Sequence, residues 1–162
     1  CFLFSVILPR VTKTLLLSAY AFRFTHAAIL AFNMLSYYAA HRRFSGVGYS
    51  EAFDSYQLYA LAMLFLDLHS HGYDLGLLFF GLSSLILGYL VAKSDCFPKV
   101  LGYGLIAAAV VYLTGSFTLF LFPDYTSFLA PAYIVPLVAE VSFCLWLLVK
   151  GVRVRPQDNL IR

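Results

Sequence analysis

Residues 66–81, LDLHSHGYDLGLLFFG, place two histidines and two aspartates directly before a long apolar run. Gly72 divides the stretch, and a glycine that follows a helical run is typical of the C′ position that closes a helix. Asp74 stands two residues later, where its carboxylate can cap the free N–H groups of a new helix. The sequence therefore predicts that one helix stops near 69 and that a second, strongly apolar helix begins near 73.

The composition of the whole chain indicates lipid as its solvent. Of the 162 residues, 62% are hydrophobic and 12% are charged, and the mean hydropathy is +0.84. Soluble domains carry about 45–50% apolar and about 25% charged residues. Since too little polar surface remains for water, membrane lipid is the expected partner. The net charge of +3 is small, and no nucleic-acid partner is predicted.

Several segments have the length of a membrane-spanning helix. Each holds about 20 mostly apolar residues, which at ~1.5 Å per residue cross a hydrocarbon layer of ~30 Å. The four segments are 14–40, 73–92, 100–122 and 128–149. They predict an all-α, polytopic transmembrane helix bundle that forms a single membrane domain over residues 1–162.

Two further segments are apolar but too short to cross the membrane. Residues 1–8 end at Pro9 and are interpreted as the last turns of a truncated helix. Residues 50–69 begin with polar side chains, and only 58–66 are apolar. This length predicts an interfacial helix on the outer face, which leads into the span at 73–92.

The basic residues predict how the chain is oriented in the membrane. If the spans alternate, eight basic residues lie on one side and only Arg42 and Arg43 on the other. The eight are Arg10, Lys13, Lys93, Lys99, Lys150, Arg153, Arg155 and Arg162. Because basic loops stay in the cytoplasm, this side, which includes the C-terminus, is expected to be cytoplasmic.

Charged residues inside the spans form the first candidate site. Arg23 and Glu140 each lie ten positions from the lysine that ends their span on the predicted cytoplasmic side, about 15 Å deep. Opposite charges at one depth predict an Arg23–Glu140 pair within a buried polar cluster. The cluster comprises Arg23, His26, Asn33, Ser83 and Glu140. It is an internal staple of the bundle or a pathway for a proton, ion or substrate; the remaining alternative is that Arg23 and Glu140 do not meet.

The outer-face cluster of Asp67, His69, His71 and Asp74 is the second candidate. Helix capping and interface structure explain it first, and a divalent metal bound through His69 and His71 is the alternative. No cofactor is predicted, and no residue is assigned as catalytic. The three cysteines, Cys1, Cys96 and Cys144, are expected to be unpaired because they lie far apart and Cys144 sits in an apolar run.

Several motifs resemble one family of bacterial membrane proteins, domain-of-unknown-function family 4386. They are, in chain order, YAFRFTHAAIL at 20–30, HSHGYDLGLLFFGL at 69–82, LGYL at 87–90, PKVLG at 98–102 and LWLLVKGV at 145–152. The resemblance implies an inner-membrane protein of about six spans. This chain would hold the last four spans and a remnant of the second, as the C-terminal part of a longer protein.

These observations support two classes of function. A non-enzymatic structural, transport-accessory or signalling role is favoured, because no nucleophile, phosphate-loop or metalloprotease motif is present. The alternative is a small-molecule transporter or an intramembrane enzyme that uses the buried Arg/His/Glu cluster. The sequence names no ligand, and it leaves open whether the chain forms a homo-oligomer.

Overall fold

The computed structural model describes residues 10–44, 54–94 and 97–150, with the side chains of 13–41 in the first range. Within these ranges every regular element is helical. The elements are α1 (Arg10–Phe44), α2 (Ser55–Lys93), α3 (Lys99–Leu121), a short α4 (Thr126–Leu129) and α5 (Ile134–Lys150), with 3₁₀ turns at Pro123–Tyr125 and Ala130–Tyr133. The predicted remnant at 1–8 and the basic side chains at 42, 43 and beyond 150 lie outside the described part of the chain.

The first two helices form an antiparallel hairpin that is much longer than one membrane span. They contain 35 and 39 residues, and therefore measure about 52 and 58 Å at 1.5 Å per residue. Ala40 of α1 lies 30 residues from Arg10 and Ala62 of α2 lies 31 residues from Lys93, and each is 1% exposed. The two helices thus bury side chains well beyond a hydrocarbon layer of ~30 Å.

The separate interfacial helix predicted at 50–69 is wrong. Residues 50–53 are not described, but from Ser55 onward the chain runs as one helix to Lys93. The N-cap is Asp54, whose Oδ1 accepts a hydrogen bond from the Gln57 N–H at 2.8 Å while Gln57 Oε1 accepts from the Asp54 N–H at 3.2 Å. This capping box starts the helix, so Asp74 lies in mid-helix and caps nothing.

Gly72 also lies in mid-helix, and its role is to let α1 approach. A Cβ at this position would lie 2.5 Å from Oδ1 and 2.8 Å from Cγ of Asn33, which is closer than two non-bonded atoms can come. The glycine that reads as a helix stop in the sequence is therefore needed for contact between two helices.

The last predicted span is divided by its prolines. Residues 123–133 form 3₁₀ and short α-helical turns, and a regular helix begins only at Ile134. Pro136 consequently stands in the first turn of α5, where its missing N–H would have no intrahelical partner. The helix type changes just before this proline, from the 3₁₀ turn at Ala130–Tyr133 to the α-helix that begins at Ile134.

The four long helical stretches pack as an open array in chain order. α1 packs on α2, α2 on α3, and α3 on α5, and no other two of these helices are in contact among the described residues. All four stretches are long and apolar enough to cross a membrane, the last one counted over Pro123–Lys150. The predicted all-α transmembrane fold is thereby confirmed.

One end of the array gathers the basic residues. Alternation of helix direction brings together the start of α1, the end of α2, the start of α3 and the end of α5. Here Val91, Phe97 and Leu105 form a small apolar core, and the Lys150 ammonium lies 4.5 Å from the centre of the Trp146 ring. Such an aromatic–cation contact is typical of a helix end at a membrane interface.

Candidate functional site

Three hydrogen bonds cross from side chains to backbone carbonyls between α1 and α2. Asn33 Nδ2 donates to the His69 carbonyl at 2.8 Å, His26 Nδ1 meets the Gly76 carbonyl at 2.8 Å, and Ser83 Oγ donates to the Ala19 carbonyl at 2.9 Å. Successive bonds are two helical turns apart on both helices. Polar side chains that bridge helices in this way hold membrane bundles in register.

The two histidines of this ladder have defined tautomers. A carbonyl oxygen only accepts hydrogen bonds, so the proton on His26 must lie on Nδ1, which leaves Nε2 as an acceptor in the neutral ring. His69 does the same, because its Nδ1 lies 3.3 Å from the Asn33 carbonyl. Asn33 and His69 therefore bond each other's backbone reciprocally, which explains why Asn33 is tolerated at 7% exposure.

A second set of contacts links all four long helices at the level of Arg23. The Arg23 guanidinium lies 4.0 Å from the centre of the Phe80 ring on α2. Phe80 meets Tyr112 of α3 edge to face at 5.3 Å, and the Tyr112 hydroxyl donates to Glu140 Oε1 of α5 at 3.0 Å. The His26 ring also lies 4.8 Å from Phe80. We call Arg23, His26, Phe80, Tyr112 and Glu140 the mid-membrane layer.

The structure places Arg23 and Glu140 in one layer but not in a direct pair. Among the described residues, the one contact within 4.0 Å between a basic and an acidic side chain joins His71 Nδ1 to Asp67 Oδ1 at 3.5 Å, and it is an ion pair when the histidine is protonated. Glu140 lies near enough to act electrostatically on Arg23, yet Phe80 and Tyr112 occupy the space between the helices that carry them. The predicted direct contact fails because α1 packs on α2 alone and α5 packs on α3 alone among the long helices.

The predicted polar cluster thus separates into two arrangements. His26, Asn33 and Ser83 belong to the ladder that joins α1 and α2, at three different depths. Arg23 and Glu140 belong to the mid-membrane layer, which His26 also touches. The equal depth of Arg23 and Glu140 correctly indicates that they lie in one layer. Depth does not indicate which neighbouring helix each side chain faces.

Two members of the mid-membrane layer, Phe80 and Tyr112, are absent from the sequence prediction. Tyr112 stands 13 residues from Lys99, about 20 Å along the helix at 1.5 Å per residue. A tyrosine at that depth lies inside the hydrocarbon layer and away from the interfacial belts that tyrosines favour. The position of Tyr112 in the sequence therefore indicates that its hydroxyl has a polar partner within the membrane. Phe80 gives no such sign, because one phenylalanine in an apolar run looks like any other.

The outer-face cluster does not converge on one point. His69 faces α1, whereas the exposed His71 bonds the Asp67 carbonyl one turn back at 2.9 Å. No group of three or more metal-ligating side chains comes together within the described parts of the chain. Asp74 faces α3, where the Ser116 hydroxyl donates to its carbonyl at 3.0 Å and its carboxylate lines a cavity. Of the cysteines, Cys144 is described, and it is free and exposed.

Together, the open array of long apolar helices and the polar layer at half its depth define a polytopic helical membrane protein. The chain belongs to the family described as "Domain of unknown function (DUF4386)", whose sequence model matches residues 1–151. An uncharacterized protein of Archaeoglobus fulgidus is 33% identical over 78 residues, which cover 48% of this chain and 45% of that relative. The match therefore spans less than half the length of the relative. No solved structure matches the chain.

Proposed function

We propose that this protein is a non-enzymatic membrane protein that binds a small amphiphilic anion at the mid-membrane layer. The observation that carries the proposal is the state of Arg23. The carbon atom of its guanidinium lies 4.0 Å from the centre of the Phe80 ring, and its N–H groups have no hydrogen-bond acceptor among the described residues. A guanidinium has five N–H donors and stays charged, so at membrane depth it calls for an acceptor that carries negative charge.

The layout of the helices supports access to Arg23 from the lipid. α1 and α5 are the outer helices of the array. Only 11% of the apolar window is buried in α1 and in the stretch Pro123–Lys150 that contains α5, against 44% in α2. The mid-membrane layer runs between these two outer helices. A ligand with one anionic group and an apolar body therefore finds a cation on an aromatic surface.

The orientation and location form part of the same proposal. The basic ends of the four long helical stretches share one end of the array, and basic loops remain in the cytoplasm. We therefore place the C-terminus in the cytoplasm and the protein in a bacterial inner membrane. We also expect the chain to be the C-terminal part of a six-span protein. Fusions of a cytoplasmic and a periplasmic reporter to the C-terminus test the orientation, and an active periplasmic reporter would contradict it.

Binding of oleate tests the proposed function, since oleate has one carboxylate and an apolar chain. The protein, held in phosphatidylcholine nanodiscs, is titrated with radiolabelled oleate and with oleyl alcohol, the neutral molecule of matched chain. We expect saturable binding of oleate only. Arg23→Gln should weaken it at least tenfold, whereas Lys13→Gln, which removes a cation at the end of the same helix, should leave it unchanged. Equal binding of the alcohol, or full binding by the Arg23 variant, would overturn the proposal.

A further inference from the structure

A second site lies nearer the other membrane surface, at a cavity of about 390 Å³. α2, α3 and the turns that precede α5 enclose it. Asp74, Gly115, Leu119, Thr126 and Tyr133 are among the residues that line it. It holds a carboxylate, a phenol and the side chain of one threonine, and its other walls are apolar. Its volume lies within the range of about 300–1,000 Å³ that is usual for small-molecule sites.

The cavity is held in shape by specific contacts. The Ser116 hydroxyl donates to the Asp74 carbonyl at 3.0 Å, which fixes α2 against α3 at this level. Tyr133 reaches over Gly115, and a Cβ at that position would overlap the Tyr133 hydroxyl. The Thr126 hydroxyl donates to the Pro123 carbonyl at 2.8 Å and stabilises the turn that forms the outer wall. The site therefore rests on packed helices and a bonded turn.

The Asp74 carboxylate is the group that this arrangement leaves without a partner. It accepts no hydrogen bond and forms no ion pair among the described residues, although it is half-buried and acts electrostatically on Tyr133. A carboxylate that loses water in apolar surroundings needs a positive charge or a hydrogen-bond donor to offset the cost. His71, three residues before it on the same helix, acts electrostatically on this carboxylate, but its Nδ1 bonds the Asp67 carbonyl at 2.9 Å and forms no hydrogen bond with Asp74.

We propose that this cavity binds a small organic ammonium ion, with Asp74 as its counter-ion and the Tyr133 ring and hydroxyl beside it. Leu119 and Leu129 suit an apolar substituent on the nitrogen. An aromatic ring attracts such a cation through its π face. A bare inorganic cation fits less well, because Ca²⁺ or Mg²⁺ takes at least six oxygen ligands and the walls are mainly apolar.

The test uses n-butylammonium, with 1-butanol and butyrate as the neutral and anionic molecules of matched size. Isothermal titration is performed on the protein in phosphatidylcholine nanodiscs, with empty nanodiscs as the blank. We expect saturable binding of n-butylammonium alone. Asp74→Asn should weaken it at least tenfold, and Asp74→Glu should restore most of it. Asp124→Asn, which removes an exposed carboxylate just outside the cavity, should leave binding unchanged.

A second variant keeps the test decisive if Asp74→Asn does not fold. Leu129→Trp fills the cavity and leaves the carboxylate in place, so it should abolish binding of n-butylammonium while helical circular dichroism stays as in the parent protein. Binding that survives both Asp74→Asn and Leu129→Trp would overturn the proposal, as would the absence of saturable n-butylammonium binding to the parent protein. Oleate binding at Arg23 is a separate readout, so the two proposals fail independently.

Discussion

Replacement of Gly72 by alanine tests the close approach of α1 and α2. A Cβ at 72 would lie 2.5 Å from Asn33 Oδ1, so the amide must move and its 2.8 Å hydrogen bond to the His69 carbonyl must break. Hydrogen bonds between membrane helices contribute about 0.6 kcal/mol on average and at most about 1.7 kcal/mol. The displaced amide adds about 1–3 kcal/mol if it stays buried without a partner.

The opposing term is the gain in helix propensity. Alanine stabilises a helix interior by about 0.5–1 kcal/mol relative to glycine. In the parent protein the losses exceed this gain, and we expect Gly72→Ala to lower the free energy of unfolding by about 1–4 kcal/mol. With Asn33→Ala already present nothing is displaced, so the same substitution should raise it by about 0.5–1 kcal/mol. The sign of the effect therefore reverses between the two backgrounds.

The reversal is measured as a double-mutant cycle. Unfolding by sodium dodecyl sulfate in mixed micelles, followed by circular dichroism, gives the free energy of unfolding for the parent, both single variants and the double variant. An equal effect of Gly72→Ala in the two backgrounds would refute the contact between Gly72 and Asn33. It would also restore the interpretation of Gly72 as a helix stop.

Two further predictions concern single hydrogen bonds in the array. Tyr112→Phe keeps the edge contact with Phe80 but removes the hydrogen bond to Glu140. It should therefore lower the free energy of unfolding by about 0.6–1.7 kcal/mol, measured by the same titration with sodium dodecyl sulfate. An unchanged free energy would contradict the 3.0 Å bond. Ser83→Ala removes the hydrogen bond to the Ala19 carbonyl and should lower the free energy of unfolding by a similar amount. Ser142→Ala, on the exposed face of α5, is the control and should leave it unchanged. Equal effects of the two substitutions would contradict the ladder of bonds between α1 and α2.

The sequence predicts the helical segments well because hydrophobic length is a local property. The span at 14–40 lies within α1, and the span at 100–122 matches α3 to within one residue at each end. The division of α2 into two helices failed for a physical reason. In the sequence, a glycine that ends a helix cannot be distinguished from a glycine that allows a neighbouring helix to pack closely. The position of Asn33 on α1 shows that Gly72 has the second role.

The candidate site was predictable in depth but not in its contacts. Counting residues from Lys13 and Lys150 put Arg23 and Glu140 at one level, and the structure places both in the mid-membrane layer. Their partners depend on which helices touch, and that order is a tertiary property that the two charged positions do not encode. The side chains that lie between them, Phe80 and Tyr112, are therefore the part that only the structure supplies.

The central claim is that Arg23 and Glu140 share a layer without forming a direct pair, which leaves Arg23 open to a ligand. A double-mutant cycle with Arg23→Gln and Glu140→Gln measures this by unfolding in mixed micelles, with Lys13→Gln in place of the Arg23 variant as the control. Two unit charges in direct contact, about 4 Å apart, interact by about 4 kcal/mol at an effective dielectric constant of about 20. Because Arg23 and Glu140 are farther apart than this, the structure predicts a coupling energy of only about 1–2 kcal/mol between them. A coupling of about 3 kcal/mol or more would show that the two charges are locked together and would contradict the claim.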